Sequence, residues 1–222
     1  VVLGLIPGDI GEPAEAGSAF SCAPGSIEVK AGGVDIWGNT DSFQFTHQES
    51  KGDFDLRVRV ASFGPPGAHA QAKAVLMMRE SLDRGSRHIS ISVYPRLRIW
   101  TARHRTHKMG PTTYLSGRGR ADWPKGTEFP NVWLRLKRAG NTVTTYGSVN
   151  GEAWMQIGND YRPEVPFPDT VQVGLGTTSN GEQEPAYPMV DVRYEQFGDF
   201  IITNAVVTIL QHPTNTAVSE NQ

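Results

Sequence analysis

Two-residue alternation, repeated in short stretches along almost the whole chain, restricts this protein to a β architecture. Phe54, Leu56, Val58 and Val60 are separated by Asp55, Arg57 and Arg59, and Ile89, Ile91 and Val93 by Ser90 and Ser92. Side chains of an extended strand point to opposite faces in turn, so each stretch offers one apolar face and one polar face. Similar stretches are read at 26–30, 42–47, 73–80, 97–103, 132–138, 142–149, 154–157, 171–176 and 190–197, and no segment sustains a helical period. More than ten half-apolar strands bury those faces by packing two antiparallel sheets together.

Length and composition agree with one large all-β domain. The 24 Gly and 15 Pro among 222 residues supply the turns such a chain needs. A formal net charge of −2 provides no global attraction to nucleic acid or to an anionic membrane. No apolar run reaches the ~20 residues needed to span a bilayer, so membrane insertion is not expected. Cys22 is the single cysteine, which excludes an internal disulfide and a thiolate metal cluster. The chain opens VVLGLIPGDIG, with neither Met nor a charged leader, and reads as a mature or excised portion of a longer protein.

One hairpin can be put in register from sequence. If Gly140-Asn141 makes a two-residue turn, Arg135 falls opposite Tyr146 and Lys137 opposite Thr144. Leu134 and Leu136 then share the core face, with Trp133, Arg135, Lys137 and Tyr146 on the other. A second cationic surface is read upstream. Residues 96–120 hold Arg96, Arg98, Arg103, Arg105, Lys108, Arg118 and Arg120, with His104 and His107, and no Asp or Glu. Taking Leu97 and Ile99 as core-facing puts Arg96, Arg98 and Trp100 on the opposite face.

If both segments belong to one sheet, aromatic rings and guanidinium groups share a surface. Such a surface suits an acidic glycan, whose sugar rings stack on Trp and Tyr while Arg grips a carboxylate or sulfate through parallel hydrogen bonds. The candidate ligand-binding residues are therefore Arg96, Arg98, Trp100, Arg103, Trp133, Arg135, Lys137 and Tyr146. The competing view makes these arginines ordinary surface residues and lets the Trp rings pack under loops. Contact with nucleic-acid phosphate carries less weight, since no nucleic-acid-binding motif accompanies the charge.

Catalytic signals are weak. A glycosidase needs two carboxylates ~5–10 Å apart, and no E-x-D-x-x-E run is present. Glu80 reads as a structural acid, serving the backbone of the 81–87 turn or pairing with Arg84 or Arg87. His104 and His107 stand among cations, which disfavours a metal ion there. No enzymatic activity is expected.

Two blocks, DIWGNTDSFQF at 35–45 and AKAVLMMRESLDRGSRHISISVYP at 72–95, resemble bacterial concanavalin A-like (laminin-G-like) jelly-roll domains. Such domains are accessory modules of secreted multidomain proteins and form the C-terminal region of bacterial xylosidases. The resemblance covers roughly 9–200 and implies an all-β, two-sheet antiparallel jelly-roll sandwich over residues 1–200. It also implies a non-catalytic carbohydrate-binding or adhesive module, secreted or at the cell surface, with its glycan on the concave sheet. No cofactor is required, but such modules often carry a structural calcium ion, for which Asp9 and Asp191 are the candidate ligands. Within the first block, Trp37 reads as core, Gly38 as a tight turn, and Asp35 as bonded to loop backbone.

SVNGEAW at 148–154 is similar to the S-x-D-G-x-x-W hairpin of Asp-box proteins, with Asn150 in place of Asp. That likeness implies a structural turn with Trp154 packed in the core. Residues 205–222 resemble the opening strand of a bacterial immunoglobulin-like domain, through Gln211, Pro213, Val218 and Glu220. The 201–222 tail thus reads as a linker and the first strand of a truncated domain. The alternative reading is an assembly device that joins copies or domains through strand or sheet-edge contacts.

Overall fold

The computed structural model describes residues 4–181 and 187–198. Sixteen strands follow one another among these residues: β1 (Ile6–Ile10), β2 (Ser18–Ala23), β3 (Ser26–Ala31), β4 (Asp35–Trp37), β5 (Thr40–Lys51), β6 (Phe54–Gly64), β7 (Lys73–Arg79), β8 (His88–Tyr94), β9 (Ile99–Arg105), β10 (Thr113–Tyr114), β11 (Arg120–Asp122), β12 (Val132–Ala139), β13 (Thr142–Ser148), β14 (Met155–Gln156), β15 (Thr170–Thr178) and β16 (Val190–Gly198). They build two sheets. The nine-stranded sheet runs β1-β5-β15-β7-β8-β9-β10, with β11 also on β9 and β4 on β5. The seven-stranded sheet runs β14-β13-β12-β6-β16-β3-β2. Every neighbouring pair is antiparallel.

The alternation places the core between the sheets. Ala74, Leu76 and Met78 of β7 and Ile89, Ile91 and Val93 of β8 join Leu56, Val58 and Val60 of β6 and Leu134 and Leu136 of β12 in one apolar cluster. Full burial of a Leu, Ile or Val side chain stabilises by about 1.5–3 kcal/mol, so this cluster is the main source of cohesion. Tyr194 bridges the layers from β16: its Oη donates to the Gly176 carbonyl at 3.1 Å and lies 2.8 Å from Thr177 Oγ1, so a fully buried hydroxyl is satisfied.

The β12–β13 hairpin has the expected register, with Arg135 opposite Tyr146 and Lys137 opposite Thr144. Its turn uses Gly140 at a φ of +57°, a conformation that favours glycine. The 148–154 loop is the expected structural turn. Ser148 Oγ accepts from the Gly151 amide at 3.0 Å, and Asn150 Oδ1 accepts from the Glu152 and Ala153 amides at 3.0 and 2.9 Å. Asn150 supplies the acceptor oxygen that Asp usually provides. Glu80 pairs with Arg87, whose Nε and Nη2 donate to its two oxygens at 2.8 and 3.0 Å.

One strand is out of phase with its sequence reading. The chain turns at residues 95–98, where the Arg98 amide donates to the Pro95 carbonyl and Arg98 takes a φ of +54°. Strand β9 therefore begins at Ile99 rather than at Leu97. Trp100 stands opposite Val93, and Ala102 opposite Ile91, so Trp100 shares the core face of β8. Because the side-chain period is two, this shift reverses the facing of every residue in the strand. The tail at 201–222, with both readings proposed for it, lies outside the described residues.

Candidate functional site

The face of the nine-stranded sheet turned away from the core is lined mostly by polar and charged groups. Since Ile89, Ile91, Val93, Trp100 and Ala102 face inward, their neighbours His88, Ser90, Ser92, Tyr94, Thr101, Arg103 and Arg105 point outward. Cross-strand pairing sets His88 beside Arg105, Ser90 beside Arg103 and Ser92 beside Thr101. A small second core covers part of this face: Ile10 and Ile36 close over Phe43, Phe45, Val75 and Met77.

One end of the face is locked by buried charge. Asp41 accepts from Arg105 Nη2 and Nη1 at 2.7 and 2.8 Å and from Arg79 Nη1 at 3.3 Å. The remaining donors go to loop carbonyls: Arg105 Nε to Gly110, Nη2 to Gly38 and Nη1 to Ser86, and Arg79 Nε to Ser81 and Nη2 to Asp83. Two guanidinium groups thereby tie three loops to the sheet. Burial pushes the Asp41 carboxyl up while both arginines pull it down, and burial pushes Arg79 down to about 10.

His88 sits against this cluster with Nε2 3.3 Å from Thr112 Oγ1. Burial first, then the charges of Arg105 and Arg79, hold its imidazole neutral well below the usual histidine range near 6.5. The unfolded chain takes up this proton near pH 6.5 and the folded chain does not, so acid favours unfolding. Stability is expected to fall as pH drops below 6.5, with His88 contributing up to ~1.4 kcal/mol per pH unit until its folded value is reached. Urea unfolding of wild type and His88→Gln between pH 8 and 5 checks this. Identical pH slopes would remove His88 from the account.

The adjoining part of the face, two residues back along β9, is its aromatic end. Arg103 is 6% exposed and its guanidinium lies 4.6, 4.7 and 5.1 Å from the ring centroids of Trp37, Tyr114 and Tyr94. Tyr114 is its cross-strand partner on β10, and Trp37 is brought over by the β4–β5 hairpin through the turn at Gly38. Those two rings are 43% and 44% exposed for Trp37 and Tyr114, with centroids 6.1 Å apart. Arg103 Nη2 donates to Tyr114 Oη at 3.0 Å. Among the described residues its buried Nε has no hydrogen-bond partner. Ring contacts contribute about 0.5–2 kcal/mol to a cation. Desolvating a charge costs several kcal/mol, so three rings do not replace a counter-ion. Lys73, next along the face, does have one: its Nζ bonds Asp35.

The predicted site residues do not form one surface. Trp100 is 1% exposed and lies in the core beside Trp123, with ring centroids 6.0 Å apart. Arg96 donates to the Ala68 carbonyl, while Arg98 pairs with Glu128 and lies over the Trp123 ring. Trp133, Arg135, Lys137 and Tyr146 do share a face, but it belongs to the seven-stranded sheet. There Trp133 is only 9% exposed, and Arg135 is neutralised by Asp55 through bonds of 2.6 and 2.5 Å. Trp154, expected in the core, instead packs against the Arg135 guanidinium on that outer face. Of the predicted set, Arg103 alone stands at the aromatic end described above.

Trp37 was expected in the core and is half-exposed; Asp35, expected to bond loop backbone, instead accepts from the Ile36 amide of its own strand at 2.6 Å and holds Lys73. The available signal was the position of Trp37 beside Gly38, at the tip of a tight hairpin where side chains escape burial. Asp9 and Asp191, the expected calcium ligands, lie in different sheets. Asp9 on β1 accepts from the Gly17 amide, and Asp191 is exposed on β16. Among the described residues no group of three or more His, Cys, Asp or Glu side chains is placed to hold a metal ion.

No protein-family model and no curated protein sequence matches the chain. Solved structures do. A Saccharomyces cerevisiae protein described as functionally unknown superposes with a TM-score of 0.61 at 17% identity, covering 86% of this chain and 94% of that one. Carbohydrate binding module CBM66 from Bacillus subtilis gives 0.50 at 12% identity, covering 86% and 95%. A xylan β-1,4-xylosidase from Bacillus halodurans gives 0.51 at 15% identity, covering 78% of this chain and 33% of the enzyme. At such identities the likeness is one of fold. The chain is an all-β, two-sheet antiparallel sandwich of the concanavalin A-like type, an architecture it shares with lectin-like proteins and carbohydrate-binding modules.

Proposed function

We propose that this domain binds carbohydrate without transforming it, at the end of the nine-stranded sheet where Trp37 and Tyr114 flank Arg103. The observation that carries this reading is the pair of half-exposed rings beside a buried arginine whose Nε has no hydrogen-bond partner among the described residues. Sugars present C–H faces for stacking and hydroxyls for such a donor. The fold supports the same reading, since it also serves a carbohydrate binding module. Asp35 and Asp41, two carboxylates beside this site, are committed to Lys73 and to Arg79 and Arg105, which favours binding over catalysis by them. A secreted or cell-surface setting belongs to this proposal.

A glycan array spanning neutral, uronic-acid and sulfated polymers tests it. Trp37→Ala and Tyr114→Ala are each expected to weaken binding ~3- to 10-fold, the value of one stacking contact. Both rings are half-exposed and each touches Arg103, so each variant should lose no more than about 2 kcal/mol of stability, the value of one ring contact with a cation. Absence of binding by folded wild type, or full binding by both variants, rejects the site.

A further inference from the structure

We infer that the ligand received at this site is anionic: a glycan whose carboxylate or sulfate group is taken by Arg103. The inference rests on the sugar-binding reading above and specifies its substrate class. Among the described residues five arginines are buried: Arg79, Arg87, Arg103, Arg105 and Arg138. Arg79 and Arg105 share Asp41, and Arg87 holds Glu80. Arg138 has no carboxylate, but it donates to the carbonyls of Phe167, Pro168 and Gly140. Arg103 has neither, only the Tyr114 hydroxyl and three ring faces.

A guanidinium removed from water wants acceptors for its five N–H groups and a negative charge nearby. The protein supplies a counter-charge at every other buried arginine except Arg138, where carbonyl dipoles serve. At Arg103 it supplies rings, which exclude water and orient the plane while leaving Nε without an acceptor. A neutral sugar hydroxyl would accept one bond and bring no charge. Carboxylate and sulfate provide both, in the geometry a guanidinium fork matches. The stacking rings beside the cation then carry the sugar to which the anion is attached.

The test compares charged and neutralised forms of the same polymers: polygalacturonate with its methyl ester, and a sulfated galactan with its desulfated form. Wild type is expected to bind one charged member at least ~10-fold more tightly than its neutral partner at low salt, the value of one charge-assisted contact, and to lose that preference as salt rises. The pair that shows the preference separates carboxylate from sulfate. Arg103→Gln should reduce it to within ~2-fold, Arg103→Lys should retain part of it, and Arg118→Gln, at an exposed position, should leave it intact. Equal wild-type affinity within both pairs overturns the anionic inference and leaves the sugar-binding reading standing. Equal loss in Arg103→Gln and Arg118→Gln shows diffuse polyanion adsorption and also overturns it. Binding to no glycan at all removes both readings. The wild-type comparison stands even where Arg103→Gln fails to fold.

Discussion

Asp41→Ala is expected to destabilise the domain by about 3–5 kcal/mol, the cost of leaving a buried charge without its partner. The carboxylate is 2% exposed and is the acid shared by Arg79 and Arg105, both fully buried. Its removal leaves two cations facing each other across a dry cavity. The loop carbonyls of Gly38, Ser81, Asp83, Ser86 and Gly110 keep their donors, but those hydrogen bonds hold loops onto a sheet that then repels its own side chains. Gly38 adjoins Trp37, so residual folded protein should also bind ligand less well. Asp41→Asn, which keeps the shape and drops the charge, should lose less than Ala. Equilibrium urea unfolding reads both variants, and a loss below ~1 kcal/mol for Asp41→Ala would sink the idea that this ion cluster holds the face together.

Trp100→Ala is expected to cost about 3–5 kcal/mol, the range for removing a large buried aromatic from a packed core. The ring is wedged between the sheets, where a Cβ built on Gly147 of β13 would come within 2.7–2.9 Å of it. That contact explains why glycine occupies a strand interior: the indole takes the space a side chain would need. Trp37→Ala, by contrast, removes a half-exposed ring and its contact with Arg103, and should cost no more than about 2 kcal/mol. The pair of tryptophans therefore separates folding from recognition. Thermal unfolding of both variants alongside glycan binding decides it. Unchanged stability with lost binding in Trp100→Ala would mean that the two faces of β9 are inverted.

Much of the fold could be read residue by residue. Alternation in β6, β7, β8 and β12 marks the buried face because burial on one side of a sheet is what the alternation records. The Gly140-Asn141 turn sets the β12–β13 register because a two-residue loop leaves no slack. Short edge elements such as β1, β10 and β11 escape such a reading, since two to five residues show no period. The phase of β9 was lost at a single point. Leu97 belongs to a turn that Arg98 completes at positive φ, and counting alternation through it exchanges core for exterior.

The cation cluster at 96–120 shows the same boundary between local and long-range information. Its lack of acidic neighbours in sequence is real, yet Arg105 finds Asp41 sixty-four residues upstream and Arg98 finds Glu128 thirty residues downstream. Charge pairing acts over distances of a few ångströms and ignores chain separation, so a basic stretch in sequence says little about unpaired charge in space. Among the described residues Arg103 meets no acid, and the hairpin of β4 and β5 brings a tryptophan to it instead. Local side-chain order is enough to specify the long strands, the tight turns and the buried face of the strands that alternate without interruption. Which cation remains without a partner, and which rings surround it, depends on contacts between segments that only sheet pairing brings together.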